Sequence, residues 1–519
     1  MATPQEKLAD SLEALRTLQA SGRIAIRSAD LTRTHRERLT QAGFLQEVMK
    51  GWYIPARPDG EAGESTAWYA AFWEFCAAYL EARFDADWSL SPEQSLRLHA
   101  GDWTVPRQLV VRAPKGGNKP TPLPHETSLI DVRAALPAPD QATQLDGLRL
   151  FSLSAALIES SPSVFEHDPT DVRTALAMVK DASDVLDPLL SGGRSTVAGR
   201  LAGAFRNIGR DRIADAIVQT MKAAGYTVRE DDPFTRTIAA PGTLRSASPY
   251  VGRMVLMWES MREAIPARFP KPPGLPKKAA AYLKAVAESY VTDAYHSLSI
   301  EGYQVSPELI ERVRSGAWNP ESAEADKSHR DALAARGYWQ ATQAVRQSLE
   351  TVLGGANPGD VADDDHGTWY REMFAPSVTA GLVKARDLAG YRSGPVYIRR
   401  SKHVPPNREA VRELMPAFFD LLRREDDPAV RVVLGHFVFV YIHPYMDGNG
   451  RMGRFLMNLM LAAGGYPWTV VPLERRAGYM EALEAASVRQ DIIPFTDFLA
   501  ALVSAGMKGE SVAKPPYER

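Results

Sequence analysis

The chain has 519 residues, 45% of them apolar and 24% charged, with a formal net charge of −2. At roughly 100–200 residues per domain this predicts two to four folded domains and excludes a disordered or fibrous chain. The near-neutral balance gives no global field for a polyanion, and a single cysteine, Cys76 in an apolar run, excludes an intrachain disulfide framework and agrees with a reducing cytoplasm.

In chain order, residues 1–60 read as helices followed by a small hairpin. Leu8, Leu12, Leu15 and Leu18 recur at helical spacing, and residues 43–45 and 51–55 predict two short strands around a turn at Lys50 and Gly51. Between them lie a turn and a helix carrying Arg33, Arg36 and Arg38. That order predicts a winged helix-turn-helix, and the arginines would face DNA as a recognition helix does. With the stretch from Trp88 to His99, the region resembles the amino-terminal winged helix of AbiEi-type antitoxins.

Residues 61–268 alternate helical runs with short β-like pieces such as residues 108–112, which predicts a mixed α/β middle domain. Residues 269–278 are rich in proline and predict an extended linker. From 279 to 519 the expectation is an all-α domain, with helices at 279–296, 306–313, 329–353, 368–388, 408–424, 429–442, 451–463, 475–489 and 495–505. The fold class expected is therefore mainly α and multi-domain. The apolar run 432–442 is too short for the ~20 residues of a bilayer crossing, and residues 1–7 lack the apolar stretch of an export signal. A cytoplasmic protein without a membrane segment is expected.

The strongest signal is the run from His443 to Arg454, between two apolar helices. Pro444 stops the first helix just after the histidine. Gly448, Asn449 and Gly450 tolerate positive φ, so successive N–H groups can turn into one anion-holding concavity at the start of the next helix. Arg451 and Arg454, three apart, add two cationic forks for phosphate. Asp447 supplies a hard carboxylate suited to Mg2+ bridging phosphates. A histidine beside a bound phosphate can take the proton of an incoming hydroxyl, so transfer at phosphorus is the indicated class.

This run resembles the Fic motif, His-Pro-Phe-x-(Asp/Glu)-Gly-Asn-Gly-Arg-x-x-Arg, with Tyr445 in place of the phenylalanine. The resemblance covers about residues 280–505. It implies His443 as general base, Asp447 as Mg2+ ligand, Gly448, Asn449 and Gly450 as phosphate cradle, and Arg451 and Arg454 as triphosphate clamps. The reaction implied is transfer of AMP from ATP to a hydroxyl-bearing target protein. Val396, Tyr397 and Ile398 resemble the family's flap, a β-hairpin that would register a target peptide by strand addition.

Upstream, the run from Ser297 to Gly302 resembles the family's inhibitory motif, Ser/Thr-x-x-x-Glu-(Gly/Asn), on a helix at about residues 285–302. In that self-inhibited class Glu301 would pair with Arg454 and exclude the γ-phosphate. A rival reading makes the chain a DNA-binding regulator of toxin-antitoxin kind, with the Fic domain as sensor or as an enzyme removing AMP. Self-association as a homo-oligomer is left open by the sequence.

Overall fold

The computed structural model describes residues 3–58, 64–236, 248–318, 330–510 and 513–514. The chain divides into two compact units, Met1–Leu256 with Tyr397–Val404, and Met257–Val396 with Pro405–Arg519. The boundary expected near residue 60 lies outside the described residues.

The first unit opens with α1 (Pro4–Ala20), β1 (Ile26–Arg27), α2 (Arg33–Gln41), β2 (Leu45–Met49) and β3 (Trp52–Pro55). Thr3 caps α1 in a reciprocal capping box with Glu6. The strands form an antiparallel sheet in the order β1-β3-β2, closed over Leu15, Ile26, Leu31, Leu39 and Leu45. The element between α1 and α2 is a two-residue strand. The three arginines of α2 do not form a free basic face. Arg38 donates to the Lys7 carbonyl and the Ser11 hydroxyl, Arg36 donates to the Ser28 carbonyl and lies over Tyr53, and Arg33 pairs with Glu37 in solvent.

Next come α3 (Thr66–Phe84), β4 (Ser89–Leu90), α4 (Pro92–His99), β5 (Gln108–Ala113), β6 (Pro120–Leu123), β7 (Thr127–Arg133), β8 (Ala142–Leu145) and β9 (Leu148–Phe151). Strands β4-β5-β7-β6 make a mixed sheet in which β5 and β7 run parallel. The aromatic side of α3, with Trp68, Phe72 and Phe75 buried, shares its core with this sheet. Cys76 lies in that core, where burial pushes the thiol far up, so it packs as a small apolar residue. Helices α5 (Leu153–Glu159), α6 (Val164–His167), α7 (Pro169–Met178), α8 (Ser183–Ser191), α9 (Ser195–Asn207) and α10 (Asp211–Ala223) enclose a second core.

The flap does not form a hairpin: no strand occurs at 396–404. Pro395, Pro405 and Pro406 bracket it and lack the N–H groups a ladder requires. Within the first unit its polar groups are held instead by Glu64 on Arg399, Thr66 on the Arg400 amide, and Val105 N–H on the Lys402 carbonyl.

The unit boundary falls within α11 (Pro249–Arg262). The second unit continues with α12 (Ala279–Ile300), α13 (Pro307–Arg314), α14 (Arg330–Leu353), α15 (Pro358–Thr379), α16 (Arg408–Arg424), α17 (Pro428–Ile442), α18 (Asn449–Gly464), α19 (Arg476–Arg489) and α20 (Ile493–Met507). The stretch 269–278 has no regular secondary structure and is pinned to the end of α18. Tyr466 donates to the Pro270 carbonyl at 2.7 Å, and Gly274 N–H to the Gly464 carbonyl at 3.2 Å. Among the described residues no helix is long and apolar enough to cross a membrane.

Candidate active site

The site is built at the turn between α17 and α18. Helix α17 is buried from Ala429 to Ile442 except at the half-buried Arg431, and ends on His443, which adopts the left-handed conformation at φ 54° and ψ 59°. Pro444 forbids another helical turn and the chain reverses. Gly448, at φ 81°, begins α18 without a capping side chain. The first N–H groups of a buried helix are thus left for another acceptor.

Asn449 keeps the turn closed. Its Oδ1 accepts from Tyr445 N–H at 2.9 Å and its Nδ2 donates to the Tyr445 carbonyl at 2.8 Å. The side chain expected in a phosphate cradle is therefore a loop staple. Tyr445 stacks on Tyr370 with centroids 3.8 Å apart and planes within 9°. Arg392 lies buried behind the turn, with its Nε donating to the His443 carbonyl and its amide to the Pro444 carbonyl, both at 2.8 Å.

His443 Nδ1 lies 3.1 Å from the Val440 carbonyl. A carbonyl only accepts, so Nδ1 carries the proton and Nε2 keeps its lone pair. Burial pushes the imidazolium down to about 4, with Arg392 adding to it and the Val440 carbonyl, Glu301 and Asp447 opposing it. The ring is a neutral base at pH 7.

Arg451 and Arg454 project from the first turns of α18 and are 2% and 4% exposed. The Arg451 guanidinium lies between the rings of Tyr303 and Phe374, at 5.1 and 5.2 Å, and reaches Asp447 at 3.4 Å. Arg454 donates to the Ser297 hydroxyl at 2.9 Å, the Ser297 carbonyl at 3.0 Å and Glu301 at 2.7 Å. Among the described residues Arg451 Nε and Arg454 Nη1 are buried donors without an acceptor. Two such donors at an uncapped helix start mark a place for an anion with several oxygens.

Glu301 already reaches into this place. It caps α12, and a β-carbon added at Gly450 would collide with its Oε1. Burial alone would raise its carboxyl, but Arg454 and then Arg451 outweigh that and hold it below its usual range. Asp447 is the outlier, with its side chain 63% exposed and Oδ1 accepting from Gly448 N–H at 2.6 Å. Among the described residues no three acidic, histidine or cysteine side chains cluster to hold a metal. One exposed carboxylate fits a Mg2+ that takes its other ligands from phosphate and water.

Residues 366–461, which include the whole turn, match the family described as Fic/DOC. The chain is similar to a protein adenylyltransferase Fic of Nematostella vectensis, 30% identical over 221 residues, which cover 42% of this chain and 48% of that protein. A protein adenylyltransferase Fic of Drosophila willistoni is 30% identical over 224 residues, 42% of this chain and 41% of that protein. The alignments thus span less than half the length of these Fic relatives. A solved structure of a Caenorhabditis elegans Fic-1 fragment aligns at 20% identity with a TM-score of 0.37, over 67% of this chain and 96% of that one.

The turn brings His443, Asp447, Gly448, Gly450, Arg451, Arg454, Ser297 and Glu301 together. Arg33, Arg36 and Arg38 belong to the first unit, as do Tyr397 and Ile398. Tyr303, Tyr370 and Phe374 escaped sequence reading because only tertiary packing brings their rings to the turn. Arg392 escaped it too, because its partners are main-chain carbonyls.

Proposed function

We propose that this chain transfers AMP from ATP to a hydroxyl of a target protein and that Glu301 holds the site in check. The observation that carries this reading is the group of buried, unpaired donors on Arg451 and Arg454 at the uncapped start of α18, with a neutral histidine on the same turn. In this reading the triphosphate takes those donors and the N–H groups after Gly448. Bound Mg2+, held by Asp447, would neutralise charge on the phosphates. His443 Nε2 accepts the proton of the target hydroxyl, its oxygen bonds to the α-phosphorus, and the bond to the β-phosphate bridge breaks to release pyrophosphate. Tyr397 is exposed, and the resemblance to the flap makes Val396, Tyr397 and Ile398 the proposed docking segment for a target strand.

Glu301 competes directly with the nucleotide, because the carboxylate and the terminal phosphate seek the same Arg454 fork. The test is to incubate purified Glu301→Gly chain with labelled ATP, Mg2+ and a lysate. The labelled proteins are then read by mass spectrometry. Adding His443→Ala to that chain should lower labelling by about 10²–10⁴-fold. Equal labelling with and without the imidazole would overturn the reading.

A further inference from the structure

Helix α17 ends with its last carbonyls facing the turn, where the helix itself offers them no donors. One side chain meets several of them. Arg392, 2% exposed, donates through Nε to the His443 carbonyl at 2.8 Å and through Nη2 to the Ile442 carbonyl at 3.5 Å and the Pro406 carbonyl. Its Nη1 reaches the Gly394 carbonyl at 3.2 Å, and its own amide donates to the Pro444 carbonyl at 2.8 Å. These contacts bracket a left-handed residue that carries a β-carbon, a conformation the backbone disfavours unless its surroundings impose it. A planar guanidinium with five donors can serve four carbonyls in different directions, and an ammonium on a flexible stem cannot do so with the same geometry.

We propose that Arg392 is a positioning residue for the base: by clamping the carbonyls of residues 442–444 it holds His443 in the left-handed conformation and aims Nε2 at the hydroxyl to be deprotonated. The residue touches neither nucleotide nor target, and acts through the main chain of the histidine. It also places a fixed cation near the imidazole, where Glu301 and Asp447 are the opposing charges. The inference rests on the adenylyl-transfer reading for its consequence and on the carbonyl contacts alone for its geometry.

The experiment uses the full chain with Glu301→Gly as parent and adds Arg392→Lys or Arg392→Gln. Loss of the clamp should lower kcat for labelling by about 10²-fold, as a base displaced by about an ångström does, while KM for ATP stays within twofold of the parent. The two variants then separate geometry from charge. Arg392→Gln removes the cation that disfavours imidazolium, so the acid limb of the pH–rate profile moves to higher pH, whereas Arg392→Lys leaves it in place. A scaffold role alone would not shift that limb. Folded variants that keep kcat within threefold of the parent overturn the proposal, as do losses in which kcat and KM change together with Tm.

Histidine ring titration by NMR, with His443→Ala for assignment, gives a reading independent of turnover. In the parent the ring should show one sharp resonance, and exchange broadening from a mobile ring overturns the clamp. If the parent labels nothing, adenylyl transfer fails, and the ring titration in the Arg392 variants still decides the role of Arg392.

Discussion

Two arginine–carboxylate clusters, one in each unit, answer to different purposes. In the first unit Arg253 pairs with Asp171 at 2.7 Å and Asp102 at 3.3 Å, and Arg253 and Asp171 are 3% and 1% exposed. In the second, Arg454 pairs with Glu301 at 2.7 Å, but the Glu301 side chain remains 29% exposed. The carboxyls shift in opposite directions. Burial pushes Asp171 up to about 7 despite Arg253, with Asp102 and Asp168 also raising it. Glu301 is held low because two arginines outweigh its burial. A pair sealed on both sides is costly to form and costlier to break. A pair with one partner at a helix end and open to water can exchange its carboxylate for another anion, and the unused Arg454 Nη1 leaves capacity for one.

The contrast can be broken most forcefully in the first unit. Arg253→Met leaves Asp171 buried without its cation and should cost about 3–5 kcal/mol of stability, read by urea unfolding. Adding Asp171→Leu should recover most of that loss. A single-variant cost below about 1 kcal/mol would erase the distinction between the clusters. Glu301→Ala is the counterpart, and its unfolding free energy should change by only about 1 kcal/mol because Arg454 keeps both Ser297 contacts. Its Tm should then rise further with MgATP than that of the unsubstituted chain, since the nucleotide meets an open fork. An equal rise in the two chains would show that the carboxylate does not compete.

The smallest effect is on pH. With the imidazolium of His443 pushed down to about 4 from an ordinary value near 6.5, labelling by the Glu301-free chain should stay level from neutral pH to about 5 and then fall. Removal of Glu301 takes away one upward pull, so the limb cannot move higher for that reason. A midpoint near 6.5 would mean a solvated ring. The same depression, shared by buried His436, works on folding: the contribution is present above about 6.5 and is lost as the pH falls towards 4, where the unfolded chain takes up protons first.

Much of the second unit is legible from spacing, because its helices bury strong apolar faces. Helix α16 runs from Arg408 to Arg424 as its pattern predicts, and the ends of α17, α18 and α19 fall within two residues of expectation. Helix α15 begins ten residues earlier than predicted. Asp363, Asp364, Asp365 and Gly367 read locally as a loop, yet Asn357 caps the start and Pro358 opens it, and packing carries the helix through. The turn itself is legible because its chemistry is contiguous in sequence. Arg392 is not, since its partners are main-chain carbonyls that carry no residue-type signal. The flap misleads for another reason: the hairpin is implied by the family resemblance alone, but strand formation depends on a partner edge, and the prolines that bracket the segment lack ladder donors.

The Asn449 staple bears on how the protein ages. Asparagine followed by glycine is the pair most prone to close into a succinimide, a reaction in which the glycine amide nitrogen must swing onto the side-chain carbonyl carbon. Here both ends of the Asn449 amide are bound to Tyr445, and the Gly450 nitrogen is fixed in the first turn of a helix. The folded chain therefore shields its own turn from deamidation, and the damage should accumulate in molecules that have opened at this point.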